Sequence, residues 1–146
     1  IVGVLSAVTA YSIEQGYSVK PFIQIGKTVA NSDHTIAQAG AVIGGKWEYY
    51  IGVLGEGDTK NGAQDTSYYG GVSRLVGSSL CIFYGCLKSR IGVAYIPNAR
   101  LIGESNYCFG FQYDARVLVL DAGHCSSGGI WEENAGLDAV SLRMYF

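Results

Sequence analysis

The sequence predicts an all-β protein: an eight-stranded antiparallel transmembrane β-barrel in which residues 1–146 form a single domain. Hydrophobic residues make up 49% of the chain and charged residues only 15%, whereas about 25% of the residues in an ordinary soluble domain are charged. Mean hydropathy is +0.20, yet no aliphatic run approaches the roughly 20 residues that a membrane-spanning helix requires. Successive side chains of a strand face opposite sides of the sheet, so a strand can present an apolar face without a continuous apolar run. Strands therefore fit a chain that is apolar overall but has no long apolar segment.

Strand-like segments recur along the chain with turn signals between them. They cover residues 1–11, 18–30, 36–46, 47–56, 66–77, 79–88, 90–96, 105–113, 115–124 and 136–146. Because the stretches GGKWE and CLKSR contain no strong turn former beyond glycine, we expect neighbouring segments to fuse there, which leaves eight strands. Residues 1–11 are predicted to form the first strand, with the remnant of a signal peptide as the alternative. Eight strands match the smallest transmembrane barrels, and closure removes exposed strand edges.

The last strand predicts which side of the sheet faces outward. One face carries Asp138, Val140, Leu142, Met144 and Phe146, and the other carries Leu137, Ala139, Ser141, Arg143 and Tyr145. An arginine facing lipid would cost about 2–4 kcal/mol at the membrane midplane, so we expect Arg143 to face the lumen. In the preceding strand, His124 is predicted to share the outer face with Leu118 and Leu120, and Asp121 is predicted to face inward. A soluble barrel with its apolar face inside is the alternative.

Three residues near the end of the chain have the pattern of a hydrolytic triad. His124 and Ser126 stand at i and i+2, so on a strand they share one face with Cα atoms about 6.5–7 Å apart. An imidazole at that separation can reach a serine hydroxyl and activate it as a nucleophile. Asp138 opens the next strand, and a hairpin would bring it beside His124, where it could orient the imidazole.

The surroundings of this triad predict a site for a lipid ester. Four residues on the same outer face could contact an acyl chain: Leu118, Leu120, Leu142 and Met144. The connection between the two strands could supply backbone N–H donors to an oxyanion from Ser127 and Gly129. Trp131, in the same connection, is predicted to anchor at the membrane interface.

The tail HCSSGGIWEENAGLDAVSLRMYF, with the approach FGFQYDARVLVLDAGH, resembles the C-terminal signature of the PagL-type lipid A 3-O-deacylases. By this resemblance His124 is the general base, Ser126 the nucleophile and Asp138 the acidic member of the triad, and Asn134 supports the loop. Matching positions also include Gly129, Gly136, Ser141 and Leu142. The sequence departs from the family pattern at Ser127, where Asn is common, and at Asp138, where Glu is common.

The resemblance implies a serine esterase of the bacterial outer membrane that hydrolyses an ester-linked acyl chain of lipid A. Lipopolysaccharide and membrane lipid are then the partners, no metal or cofactor takes part, and a homodimer is left open. Nucleic acid is not expected, because the net charge is −2 and no basic cluster occurs. Two other functions remain open: a non-catalytic outer-membrane barrel serving adhesion or structure, and a soluble ligand-binding β-barrel.

The sequence also allows predictions for His34, for the acidic stretch and for the four cysteines. His34 lies in the polar stretch NSDHT, and we expect a solvated side chain. The acidic stretch at residues 55–65 lacks the ligand spacing of a calcium loop and is predicted to be an exposed loop. The four cysteines show no metal-ligand spacing, so we expect buried small hydrophobes, with one or two disulfides as the alternative and no basis for pairing them.

Overall fold

Eight strands close into an antiparallel barrel in the computed structural model, which describes residues 2–30, 32–60, 62–97, 104–115, 118–127 and 136–146. The elements are α1 (Val2–Glu14), β1 (Val19–Val29), β2 (Thr35–Ile43), β3 (Trp47–Leu54), β4 (Gly57–Thr59), β5 (Gly62–Gln64), β6 (Ser67–Ile82), β7 (Gly85–Tyr95), β8 (Ser105–Ala115), β9 (Leu118–Ser126) and β10 (Leu137–Tyr145). The order around the barrel is β1-β10-β9-β8-β7-β6-β3-β2, and β4 and β5 form a separate hairpin. The predicted all-β fold with a closed eight-stranded antiparallel barrel is therefore confirmed.

The two ends of the barrel differ in the length of their connections. At one end, β2 is joined to β3, β6 to β7 and β8 to β9 by two or three residues each; we call this the short-turn end. At the other end, the connections span residues 30–34, 55–66, 96–104 and 127–136; we call this the long-loop end. β9 ends and β10 begins at the long-loop end, which is where the candidate triad lies.

The lumen is filled by a network of charged and amide side chains. Arg143 and Glu48 are both fully buried, and Arg143 Nη1 lies 2.5 Å from Glu48 Oε1. Arg90 approaches the second oxygen of Glu48 at 3.5 Å and donates to Asp121 at 2.9 Å, and Gln112 donates to Glu48 at 2.8 Å. Buried charges are tolerated when they are paired in this way. The predicted inward orientation of Arg143 and Asp121 is confirmed.

The outside of the barrel is an apolar belt of exposed side chains. Its members include Ile23, Ile25, Tyr68, Ile91, Val93, Tyr95, Phe109, Phe111, Leu118, Leu120, Val140, Leu142 and Met144. Soluble monomers rarely expose a contiguous apolar surface of this kind. Among the described residues, no helix has the length and hydropathy needed to cross a membrane.

The prediction of a first strand at residues 1–11 is wrong, because Val2–Glu14 forms helix α1. β1 pairs with β2 on one side and β10 on the other, so the barrel is closed and offers no free edge to an earlier strand. The helix ends at Glu14, and Gly16, two residues later, has a φ of 75°, which is typical of a glycine that follows a helix C-terminus.

Two strand boundaries also differ from the prediction. The expected fusion across GGKWE does not occur, because Gly44 and Gly45 have φ of 59° and 68° and form a tight turn between β2 and β3. The segment 79–88 is not one strand, since Phe83 and Tyr84 form the turn between β6 and β7. The expected fusion across CLKSR is confirmed, because β7 runs through it.

The solvated side chain predicted for His34 is wrong. Most of the described residues at 55–65 are exposed, as predicted, but the stretch is not an irregular loop. This segment contains the β4–β5 hairpin, which folds onto the β1–β2 connection: the N–H of Asp33 donates to the carbonyl of Asp58 at 2.9 Å. Beneath it His34 is fully buried, with Nδ1 2.8 Å from the carbonyl oxygen of Gly55. The hairpin therefore covers a histidine that its polar neighbours in sequence would leave in water.

The four cysteines form two disulfides, Cys81–Cys86 and Cys108–Cys125. In each pair the two residues are direct partners on neighbouring strands, β6 with β7 and β8 with β9. The disulfide alternative is thus the one found, and strand register supplies the pairing that the sequence left open.

Candidate active site

His124 and Asp138 face each other across the β9–β10 pair. Their Cα atoms are direct partners in the register, and His124 Nδ1 lies 2.8 Å from Asp138 Oδ1. Both side chains are about one-third exposed, at 32% and 35%. When Nδ1 carries the proton and donates to the carboxylate, Nε2 has a free lone pair with which to accept a proton. The sequence spacing predicted this pairing, and the hairpin register produces it.

Ser126 is the last residue of β9, two positions beyond His124. Strand alternation places its side chain on the outer face with His124, since the intervening Cys125 faces the lumen. Tyr107 on β8 is the direct cross-strand partner of Ser126. The nucleophile predicted from sequence therefore lies at the long-loop rim of the apolar belt, on the same side as the imidazole.

Two neighbours fix the imidazole of His124. The ring of Phe109 lies 5.3 Å away between centroids, and the backbone of Gly136 passes directly against the ring. A Cβ at position 136 would come 2.9 Å from His124 Cε1, and the φ of 65° there is also one that a side chain disfavours. Glycine at position 136 thus lets β10 begin close enough to hold the imidazole.

The disulfide between Cys108 and Cys125 joins β8 and β9 at the level of the candidate triad. Cys125 stands between His124 and Ser126 and contacts the lumen side of the wall. It crosslinks the strand that carries both groups to β8. Sequence reasoning missed this support, although the alternation of β9 and the position of Cys125 between the two residues were visible.

The predicted oxyanion contacts are described only in part. Ser127 is buried, whereas Gly129, Asn134 and Trp131 lie outside the described residues. The backbone donors, the support of the loop by Asn134 and the interfacial anchor by Trp131 therefore stay predictions.

The apolar wall predicted beside the triad lies on the outer face. Leu142 is the direct partner of Leu120, and Met144 is the direct partner of Leu118. All four are exposed, and they continue the outer face of β9 and β10 away from the His124–Asp138 pair toward the short-turn end. Their orientation is as predicted, and their contact with an acyl chain stays a prediction.

Within the described part of the chain, no group of three or more His, Cys, Asp or Glu side chains is placed to hold a metal ion. Comparison with known proteins gave no matching family model, no similar curated protein and no similar solved structure. What the fold and site define is a small closed antiparallel barrel with a hydrogen-bonded histidine–carboxylate pair and a serine on its outer face.

Proposed function

We propose that this protein is a serine esterase of the bacterial outer membrane that removes an ester-linked acyl chain from lipid A. The observation that carries the proposal is the hydrogen bond between His124 and Asp138, with Ser126 beside them, on the outer face of a closed barrel. A nucleophile, a base and an orienting acid together meet the requirements of acyl transfer.

The distribution of polar and apolar side chains supports a membrane location. A soluble ligand-binding barrel keeps its apolar face inside, whereas this barrel places Arg143, Glu48 and Asp121 in the lumen and aliphatic and aromatic residues outside. Short turns at one end and longer connections at the other are also typical of outer-membrane barrels. The two disulfides agree with an oxidising compartment such as the periplasm or cell surface.

The site implies a two-step hydrolysis. Ser126 Oγ attacks the ester carbonyl carbon while His124 Nε2 accepts the hydroxyl proton, and Asp138 stabilises the resulting imidazolium. The tetrahedral intermediate expels the sugar alkoxide, which takes the proton from His124 and leaves an acyl group on Ser126. A water molecule, deprotonated by His124, then releases the fatty acid and restores the serine.

The position of the site supports lipopolysaccharide as the substrate. In outer-membrane barrels the longer loops face the outside of the cell, and the candidate triad lies at the long-loop end. That depth corresponds to the outer leaflet, where lipid A places its sugar esters just above its acyl chains. The exposed wall of Leu118, Leu120, Leu142 and Met144 then contacts lipid chains below the ester.

Mass spectrometry of lipid A tests the proposal directly. We expect lipid A from Gram-negative cells that express the protein to have lost one hydroxyacyl chain relative to cells with an empty vector. A free hydroxy fatty acid should appear in the same culture. Unchanged lipid A, with the folded protein present in the outer membrane, would instead support a non-catalytic barrel.

A further inference from the structure

A groove of about 550 Å³ crosses the outer face of β3, β6, β7 and β8, and Val8 of α1 also lines it. Gly70 lies on the outer face of β6, two residues after the exposed Tyr68, and its missing side chain leaves the floor of the groove low. Ile51 on β3 and Tyr95 on β7 are the direct partners of Gly70 and flank it. The lining is predominantly apolar, with the tyrosines as its largest side chains.

One row of cross-strand partners leads from this groove to the candidate nucleophile. Tyr49 pairs with Val72, Val72 with Val93, Val93 with Tyr107, and Tyr107 with Ser126. The first four of these residues line the groove. The Cβ atoms of direct partners lie about 4.5–5.5 Å apart. Because Tyr107 lines the groove and is the direct partner of Ser126, the groove begins at the residue next to the candidate nucleophile.

This row of residues also runs obliquely along the outer face of the barrel, from one end toward the other. Ser126 ends β9 at the long-loop end, whereas Tyr49 lies near the start of β3, next to the short-turn end. Barrel strands are tilted by about 35–45°, so a row of partners slopes from one end of the barrel toward the other. An acyl chain whose ester lies at the membrane surface follows the same course.

We propose that this groove holds the acyl chain that is cleaved, with the ester carbonyl at Ser126 and the methyl end near Tyr49. The inference rests on the proposed function and adds to it the length of the acyl chain that the protein removes. Four strand spacings separate Ser126 from Tyr49, which is about 19 Å. An extended chain advances roughly 1.2 Å per bond, as in an extended peptide, so the groove fits a saturated chain of about 12 to 16 carbons.

A second groove of about 550 Å³ lies beside the first, over β1, β2, β3 and β6, and offers a matched control. It is lined by Ile23 and Ile25 of β1, by Ala37 and Ala39 of β2 and by Val53 of β3, and it shares Ile51 with the first groove. On β10 the direct partners of Ile25 and Ile23 are Leu142 and Met144. These rows cross β10 away from its first residues, so neither of them leads to Ser126. Both grooves have the same volume, and only the first is aligned with the nucleophile.

The test compares esters of a 14-carbon and a 4-carbon acid with the full chain in detergent micelles. Gly70→Leu fills the first groove and is expected to lower the ratio of kcat/KM for the long ester to that for the short ester about tenfold. Ala37→Leu fills the second groove at a position whose direct partners, Ile25 and Val53, do not line the first groove, and it should leave that ratio within about twofold. An unchanged ratio in Gly70→Leu, or a larger change in Ala37→Leu, would overturn the proposal.

A crosslinking measurement separates the groove from the chemistry. A glucosamine ester with a 14-carbon chain and a terminal diazirine is photolysed with the Ser126→Ala variant, and the labelled peptides are mapped. Labelling of β3 and β6 around Tyr49 and Val72 is expected, and its loss in the Gly70→Leu, Ser126→Ala double variant. Labelling of β1 and β2 around Ile23 and Ala39 would overturn the groove assignment. Labelling of the Ser126→Ala variant in the first groove, together with failure of the unsubstituted protein to cleave either ester, would overturn only the esterase function.

Discussion

Replacing Ser126 with alanine is expected to lower the rate of lipid A deacylation by at least about a thousandfold. In the proposed mechanism the alanine removes the oxygen that forms the acyl-enzyme, and the imidazole then has no hydroxyl at this position to activate. In serine hydrolases, loss of the nucleophile leaves only the residual rate supplied by binding and by the oxyanion hole. The measurement is the release of hydroxy fatty acid from purified lipid A in detergent micelles, with enzyme in known concentration.

Thr35→Ala is the matched control for this variant. Thr35 is an exposed hydroxyl residue at the same end of the barrel, on β2 rather than β9. Its loss should leave the rate within about twofold. A Ser126→Ala protein that still turned over lipid A at a tenth of the original rate would rule out the assigned nucleophile.

Replacing Glu48 with glutamine is expected to lower the free energy of unfolding by about 3–5 kcal/mol, the usual cost of breaking a buried ion pair on one side. Glu48 is the acceptor for Arg143 at 2.5 Å and for Gln112 at 2.8 Å, and Arg90 approaches it at 3.5 Å. Without its charge, two buried guanidinium groups share the single carboxylate of Asp121. The measurement is urea unfolding of the protein in detergent micelles or lipid vesicles, followed by tryptophan fluorescence.

Glu56→Gln makes the same chemical change at an exposed position in the connection between β3 and β4. Surface substitutions of this kind usually stay within about 0.5 kcal/mol. Equal stabilities for the two variants would show that the lumen network does not hold the strands together.

The sidedness of the barrel could be predicted because it depends on alternation along a strand. The predicted count of eight strands is right because two errors cancel: residues 1–11 belong to a helix, and the expected fusion across GGKWE does not occur. Arg143 on one face of β10 and four apolar residues on the other are enough to assign the lumen, since the cost of a charge in lipid exceeds most local preferences. Helix α1 could not be predicted this way, because a short apolar segment has no period that separates a helix from a buried strand. The turn at Phe83 and Tyr84 contains no turn-forming residue, so only the pairing of β6 with β7 reveals it.

Contacts between distant segments account for what the sequence left out of the site. His34 is buried because a hairpin more than twenty residues later folds over it, and nothing in NSDHT records that contact. The pairing of Cys108 with Cys125 and the passage of Gly136 against His124 both depend on register between strands. The pairing of His124 with Asp138 could be predicted from the sequence, because it depends only on the β9–β10 hairpin and on the two-residue alternation of side chains along a strand.

Labelling with a long-chain alkyl fluorophosphonate tests the central claim, an activated serine on the outer face of the barrel, most directly. The reagent reacts with a serine whose proton an adjacent base removes. In detergent micelles we expect intact-protein mass spectrometry to show one adduct per chain, peptide mapping to place it on Ser126, and His124→Ala to prevent it. An unlabelled protein, or an adduct on any other residue, would contradict the account.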